Sequence, residues 1–302
     1  MVNSVCPDRR DRFFGSGMPD PGFRVLDCQT IIERLFEFMR ELIHFAHANS
    51  YPAGCYRKLL ETLGHQYDIA CIERIGHDPR FPVSDNWPHL TDELIQSVER
   101  LGRPVYGVGH SLGGALTVLA ALKRPELFAG VVILDSPILS GWRSRGLWLA
   151  KRLGRIERVT PAHIALGRRD QFDSVEAMHA HFARKPLFAR FDPEVLDDYV
   201  RFGSEPSGDG VRLTFRPEVE HKVYCTLPHI FPRIARPLAM PAVYLAGAAS
   251  DVIGPADLRF VERRFGMRVE PVPGSHLFPL ELPQGTADEI LRVLAAMSRQ
   301  PG

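Results

Sequence analysis

The 302-residue chain has almost no net charge: 37 Lys plus Arg stand against 36 Asp plus Glu, a formal +1. Nothing global therefore calls for a nucleic-acid partner. It has no apolar run approaching the roughly 20 residues that cross a bilayer. The charged stretch Asp8 to Arg12 is not followed by the apolar core of a signal peptide, so the cytoplasm is the expected location. Five cysteines (Cys6, Cys28, Cys55, Cys71, Cys225) are odd in number, widely spaced and without a C-x-x-C pair. They suggest neither a disulfide framework nor a zinc site. There is no H-E-x-x-H, and no glycine-rich loop precedes Lys-Ser or Lys-Thr. His179 and His181 lie two apart on a predicted helix and diverge, so they are a poor metal pair. No internal repeat or low-complexity tract occurs. These absences point to chemistry done with side chains alone, without metal or cofactor.

What the chain does have is the stretch PVYGVGHSLGGALTVLAALKR, residues 104 to 124. Val105, Tyr106 and Val108 read as a buried strand. Leu112, Ala115, Leu116, Leu119, Ala120 and Leu122 repeat at helical spacing until Pro125. Between them Gly109-His110-Ser111-Leu112-Gly113 forms G-x-S-x-G in the strand-turn-helix setting that pattern requires. So sharp a turn strains the backbone at Ser111, and side chains two residues to either side would collide. The blander reading is a glycine-rich turn with a surface serine. His110 adjoins Ser111, but alternation points it elsewhere, as packing or site lining.

Short apolar strands alternate with helical patterns on both sides of this unit. Strands are expected at 42–47, 67–73, 130–135, 241–247 and 267–272, with helices at about 56–63, 90–101 and 256–265 and from 283 onward. That rhythm predicts an α/β fold, a mostly parallel sheet with helices on both faces. It breaks from 137 to 237, where helical patterns rich in large aromatics run without a convincing strand, which reads as an inserted helical lid. The expected organisation is a tail with a helix at its end over 1–40, a core made of 41–136 and 238–302, and the lid between. Met39 is a candidate alternative start.

Serine is a poor nucleophile unless a base takes its proton, and the base needs an orienting acid. Functional groups in such sheets gather beyond the carboxyl ends of the strands. Three leave strand ends there in the order Ser111, Asp251, His276, the chain order that accompanies the G-x-S-x-G elbow. Asp135, ending the strand before, is the other acid candidate, or else a cap at the lid entrance. The His77-Asp78 pair reads more simply as a turn.

The GHSLGG elbow, the LAGAASD loop, the GSH loop and HAN after the first clear strand together resemble the α/β-hydrolase superfamily in its lid-bearing form, over roughly residues 41 to 298. The resemblance implies a nucleophile at Ser111, a general base at His276 and an acid at Asp251, with Asp135 the position some members use instead. It also implies an oxyanion hole from the backbone N–H groups of Leu112 and Asn49. Many relatives have His-Gly where this chain has His47-Ala48, so the second donor's geometry departs from the pattern, and the Asn49 side chain is a further candidate. The implied activity is a serine hydrolase cleaving a carboxylic ester or thioester through an acyl-enzyme. Carbon–carbon bond hydrolysis and acyl transfer use the same residues. A serine rather than an aspartate at 111 argues against epoxide hydrolase or haloalkane dehalogenase chemistry. The rival of another class is a small-molecule binding protein that keeps the fold without the chemistry. The lid segment carries 17 Lys plus Arg against 12 Asp plus Glu. These arginines read first as a solvated surface, and near a pocket mouth they would favour an anionic group.

Overall fold

Six short segments pair side by side, all parallel, in the computed structural model, which describes residues 40–299. The expectations for residues 1–39, a tail, a helix and the start at Met39, lie outside them. The strands are β1 (Leu42–Ala46), β2 (Asp68–Cys71), β3 (Val105–His110), β4 (Phe128–Leu134), β8 (Ala242–Gly247) and β9 (Arg268–Val272). Their spatial order is β2-β1-β3-β4-β8-β9. β3 thus sits centrally and is buried along its whole length.

Period-two alternation explains why these strands need helices on both faces. Ile43, Phe45, Val108, Val132, Leu134 and Leu245 face one core, shared with Leu59 and Leu63 of the helix Arg57–Gly64 and with Ile290 and Leu294 of Pro283–Met297. Their neighbours Leu42, Val105, Val131, Ile133 and Tyr244 face the other. That second core is covered by the helices Pro88–Glu99, Leu112–Lys123 and Pro255–Phe265. Among the described residues no helix is long and apolar enough to cross a membrane.

Between β4 and β8 lies a large insertion. It carries the helices Gly141–Arg152, Val175–Ala183, Pro193–Phe202 and Pro217–Cys225, among shorter turns. It is not purely helical as expected. β5 (Gln171–Phe172), β6 (Ser204–Ser207) and β7 (Gly210–Leu213) form a small antiparallel sheet. The hairpin between β6 and β7 turns at Gly208, whose φ of 57° suits glycine. Phe182, Phe188, Phe191 and Tyr199 pack ring on ring and against Tyr51 of the core, so the insertion's aromatics make their own hydrophobic centre. Trp142, by contrast, is 74% exposed.

Candidate active site

β3 ends in the middle of the sheet and hands the chain to the helix Leu112–Lys123 through a single residue. Ser111 takes φ 51° and ψ −111°, a conformation that L-residues avoid. The glycines that permit the turn face hard walls. A Cβ on Gly109 would lie 2.5 Å from the Gly113 carbonyl oxygen, and one on Gly113 would lie 2.0 Å from that of Ala46 on β1. The turn is then bonded in place: Ser111 N–H donates to Leu134 O at 3.0 Å, and the Ser136 hydroxyl donates to Ser111 O at 2.6 Å.

His276 arrives from the loop after β9. Its Nε2 lies 3.0 Å from Ser111 Oγ, and its Nδ1 lies 2.7 Å from Asp135 Oδ2. The loop is held by Glu281, whose carboxylate accepts from the Ser275 N–H at 2.9 Å and the Ser275 hydroxyl at 2.7 Å.

The acid beside the histidine is Asp135, which corrects the expectation of Asp251. Asp251 is exposed and has no hydrogen-bond or ion-pair partner among the described residues. Asp135 is fully buried and collects three donors. Gly247 N–H lies 2.9 Å from Oδ1, and the Ser250 hydroxyl 2.6 Å from Oδ2, beside His276 Nδ1. The loop after β8 therefore reaches the site through Ser250, one residue before the expected acid. The loop after β8 thus supplies donors to the acid, the Gly247 N–H and the Ser250 hydroxyl, while the carboxylate itself comes from the end of β4, the immediate neighbour of β3.

A second chain of hydrogen bonds runs behind the first. Ala48 N–H donates to the Tyr56 hydroxyl at 3.2 Å, Tyr56 Oη lies 2.7 Å from His110 Nδ1, and His110 Nε2 lies 2.8 Å from the His276 carbonyl oxygen. A carbonyl only accepts, so His110 Nε2 carries the proton and Nδ1 accepts from the Tyr56 O–H. Burial pulls His110 down to about 3, so the ring is neutral and keeps this tautomer through ordinary pH. His110, read from the sequence as packing or lining, thus ties the loop after β1 to the backbone of His276.

The loop after β1 is fixed the same way. His47 Nε2 accepts from Ile75 N–H at 2.8 Å, and its Nδ1 donates to Ala48 O at 2.7 Å. Burial lowers His47 to about 4. The backbone N–H groups of Asn49 and Leu112 have no acceptor among the described residues. The Asn49 side chain is buried, and its amide gives one N–H to Glu220 O of the insertion at 3.2 Å. Glu220 in turn pairs with Arg168 at 2.9 Å. Arg168 is thus one insertion arginine that is committed rather than solvated. Tyr56, Ser136, Ser250 and Glu281 escaped the sequence reading. Each is an ordinary residue near a motif, and only pairing across the sheet reveals it.

The chain is 30% identical over 142 residues to monoglyceride lipase of Rattus norvegicus, covering 43% of this chain and 46% of that one. It is 26% identical over 141 residues to a type I acyl-CoA thioesterase of Penicillium roqueforti (strain FM164), covering 45% and 30%. The chain spans less than half the length of these curated relatives. Among solved structures, E-2-(acetamidomethylene)succinate hydrolase superposes with a TM-score of 0.68 at 20% identity, covering 85% of this chain and 91% of that one. That likeness carries the fold alone. The model of the alpha/beta hydrolase family matches residues 45–289, from within β1 to the last helix, and on that match the chain belongs to this family.

Proposed function

We propose that the protein is a serine hydrolase that cleaves a carboxylic ester or thioester through an acyl-enzyme, with Ser111, His276 and Asp135 as its triad. The observation that carries this reading is the continuous Ser111–His276–Asp135 hydrogen-bond chain, with the serine on a strained turn at the centre of the sheet. Ser111 Oγ attacks the acyl carbonyl while His276 Nε2 takes its proton. His276 then returns that proton to the leaving alcohol or thiol, and water, deprotonated by the same nitrogen, releases the acid. Asp135 holds the Nδ1–H tautomer and offsets the imidazolium charge. The uncommitted N–H groups of Leu112 and Asn49 receive the developing oxyanion, a contribution of about 10²–10³ in rate for each donor. The insertion acts as the lid over this site. The choice of ester or thioester draws on the relatives named a monoglyceride lipase and an acyl-CoA thioesterase.

A fluorophosphonate probe tests the reading, since it reacts only with an activated serine. Labelling at Ser111, abolished in Ser111→Ala and accompanied by turnover of p-nitrophenyl esters or acyl thioesters, is expected. An intact folded chain that takes no label would mark a binding protein that keeps the fold without the chemistry.

A further inference from the structure

Three side chains of the insertion converge away from the triad. Glu157 lies on the turn Ile156–Arg158, and His221 and Cys225 lie four apart on the helix Pro217–Cys225. Each offers a ligand atom within 4.8 Å of the others. Residues four apart on a helix share a face, so one helix presents both the sulfur and the nitrogen.

The directions of approach matter more than the proximity. Glu157 Oε1 lies 2.8 Å from His221 Nε2, and Cys225 Sγ lies 3.5 Å from that same nitrogen, against 4.0 Å from Nδ1. A nucleophilic relay needs the acid on one ring nitrogen and the thiol on the other. Here carboxylate, thiol and Nε2 all aim at one point, which suits a shared cation and not a relay. We propose that Glu157, His221 and Cys225 form a binding site for a zinc-class divalent cation.

The spacings fit. With about 2.3 Å to sulfur and about 2.0 Å to nitrogen, a tetrahedral angle sets S···N at about 3.5 Å, which is what is found. The N···O pair must open by roughly 0.6 Å from its hydrogen-bonded separation, on the same tetrahedral geometry. Glu157 is a half-exposed side chain on a short turn and has room to do so. On binding, the thiol proton leaves to solvent and the imidazole proton moves from Nε2 to Nδ1. Thiolate and carboxylate together then neutralise the dication. Neutrality matters because Lys151 stands near Cys225, its ammonium already engaged by Asp85 and the Leu227 carbonyl. A fourth ligand position is left for water. The bound ion joins the turn at 157 to the helix whose Glu220 carbonyl holds Asn49, bracing the insertion against the loop after β1. C-x-x-C searches miss such a site, because its sulfur is single and its partners are a histidine one turn earlier and a distant glutamate.

The test is Co(II) and Zn(II) titration of the full chain. Co(II) is expected to give a thiolate charge-transfer band that Zn(II) and chelator abolish, and Zn(II) to raise the melting temperature. Cys225→Ser and His221→Ala should each weaken binding by about 100-fold or more, and Glu157→Gln by about 10-fold. Cys71→Ser, which removes an exposed thiol outside the cluster, should change nothing. No charge-transfer band on the folded chain, or a band that survives Cys225→Ser, overturns the site. Neither readout passes through ester turnover, so the result stands apart from the proposed hydrolase chemistry.

Discussion

Replacing Asp135 with asparagine separates the two acid candidates, and the structure determines which way the new amide must face. Asp135 Oδ1 accepts from Gly247 N–H, a backbone donor that cannot turn away. The oxygen of the new amide must take that place, because the flipped amide would set NH₂ against N–H and leave a buried donor unpaired, at a cost of about 1–3 kcal/mol. The NH₂ then faces the Ser250 hydroxyl and His276 Nδ1. The hydroxyl can rotate to accept. The imidazole can accept only by moving its proton to Nε2, where it confronts Ser111 Oγ and blocks proton removal. A tautomer error of this kind costs about 10⁴ in kcat. Asp251→Asn, at an exposed and unpartnered carboxylate, should leave kcat unchanged. The assay needs no knowledge of the natural substrate, since the rate of phosphonylation of Ser111 by a fluorophosphonate reports the same proton transfer. A melting curve for each variant checks that the fold survives. A folded Asp135→Asn protein labelled at the wild-type rate, or a large loss in Asp251→Asn, refutes the assignment.

Two further expectations follow from the buried groups. Tyr56→Phe removes the oxygen that joins Ala48 N–H to His110 Nδ1, leaving two buried polar groups unpaired. It should cost about 1–3 kcal/mol of stability in denaturant melts and lower kcat more than it raises KM, because what it loosens is the backbone of His276 and the loop of Asn49. Glu93 is buried, and that burial raises its carboxyl from 4.5 to about 7 despite its hydrogen bond from Gly76 N–H. Between those values the unfolded chain has released the proton and the folded one has kept it. Stability associated with Glu93 is therefore full below about pH 4.5 and falls as pH rises through 7, by an amount on the order of 3 kcal/mol. Glu93→Gln removes the titration, so its melting temperature relative to wild type should climb between pH 5 and pH 8. A difference that stays flat with pH would show that Glu93 titrates normally.

What the sequence made legible, and what it did not, divides along one physical line. The parallel sheet could be read because its inner strands are local apolar runs whose neighbours in sequence are helices, and both faces must then be buried. Ser111 and His276 could be read because the backbone that presents them is encoded beside them, in Gly109, Gly113 and Gly274. The acid could not be read this way. Asp135 directly follows one strand, Asp251 lies four residues past another, and chain order favours the later one. What decides between them is which side chain collects donors, and those donors, Gly247, Ser250 and His276, are all more than a hundred residues away from Asp135. The small sheet of the insertion failed for a related reason. Gln171–Phe172 is two residues long and becomes a strand only because Gly210–Leu213 pairs with it, so no periodicity could announce it. The His110–Tyr56–Ala48 chain likewise depends on a tyrosine from the turn before a helix meeting a histidine 54 residues later. Its neutral tautomer follows from which atoms can only accept, and that argument begins only when the partners are known. A motif thus identifies the residues whose strain is local, while the groups that keep those residues in the right protonation state are supplied by distant segments and must be found in space.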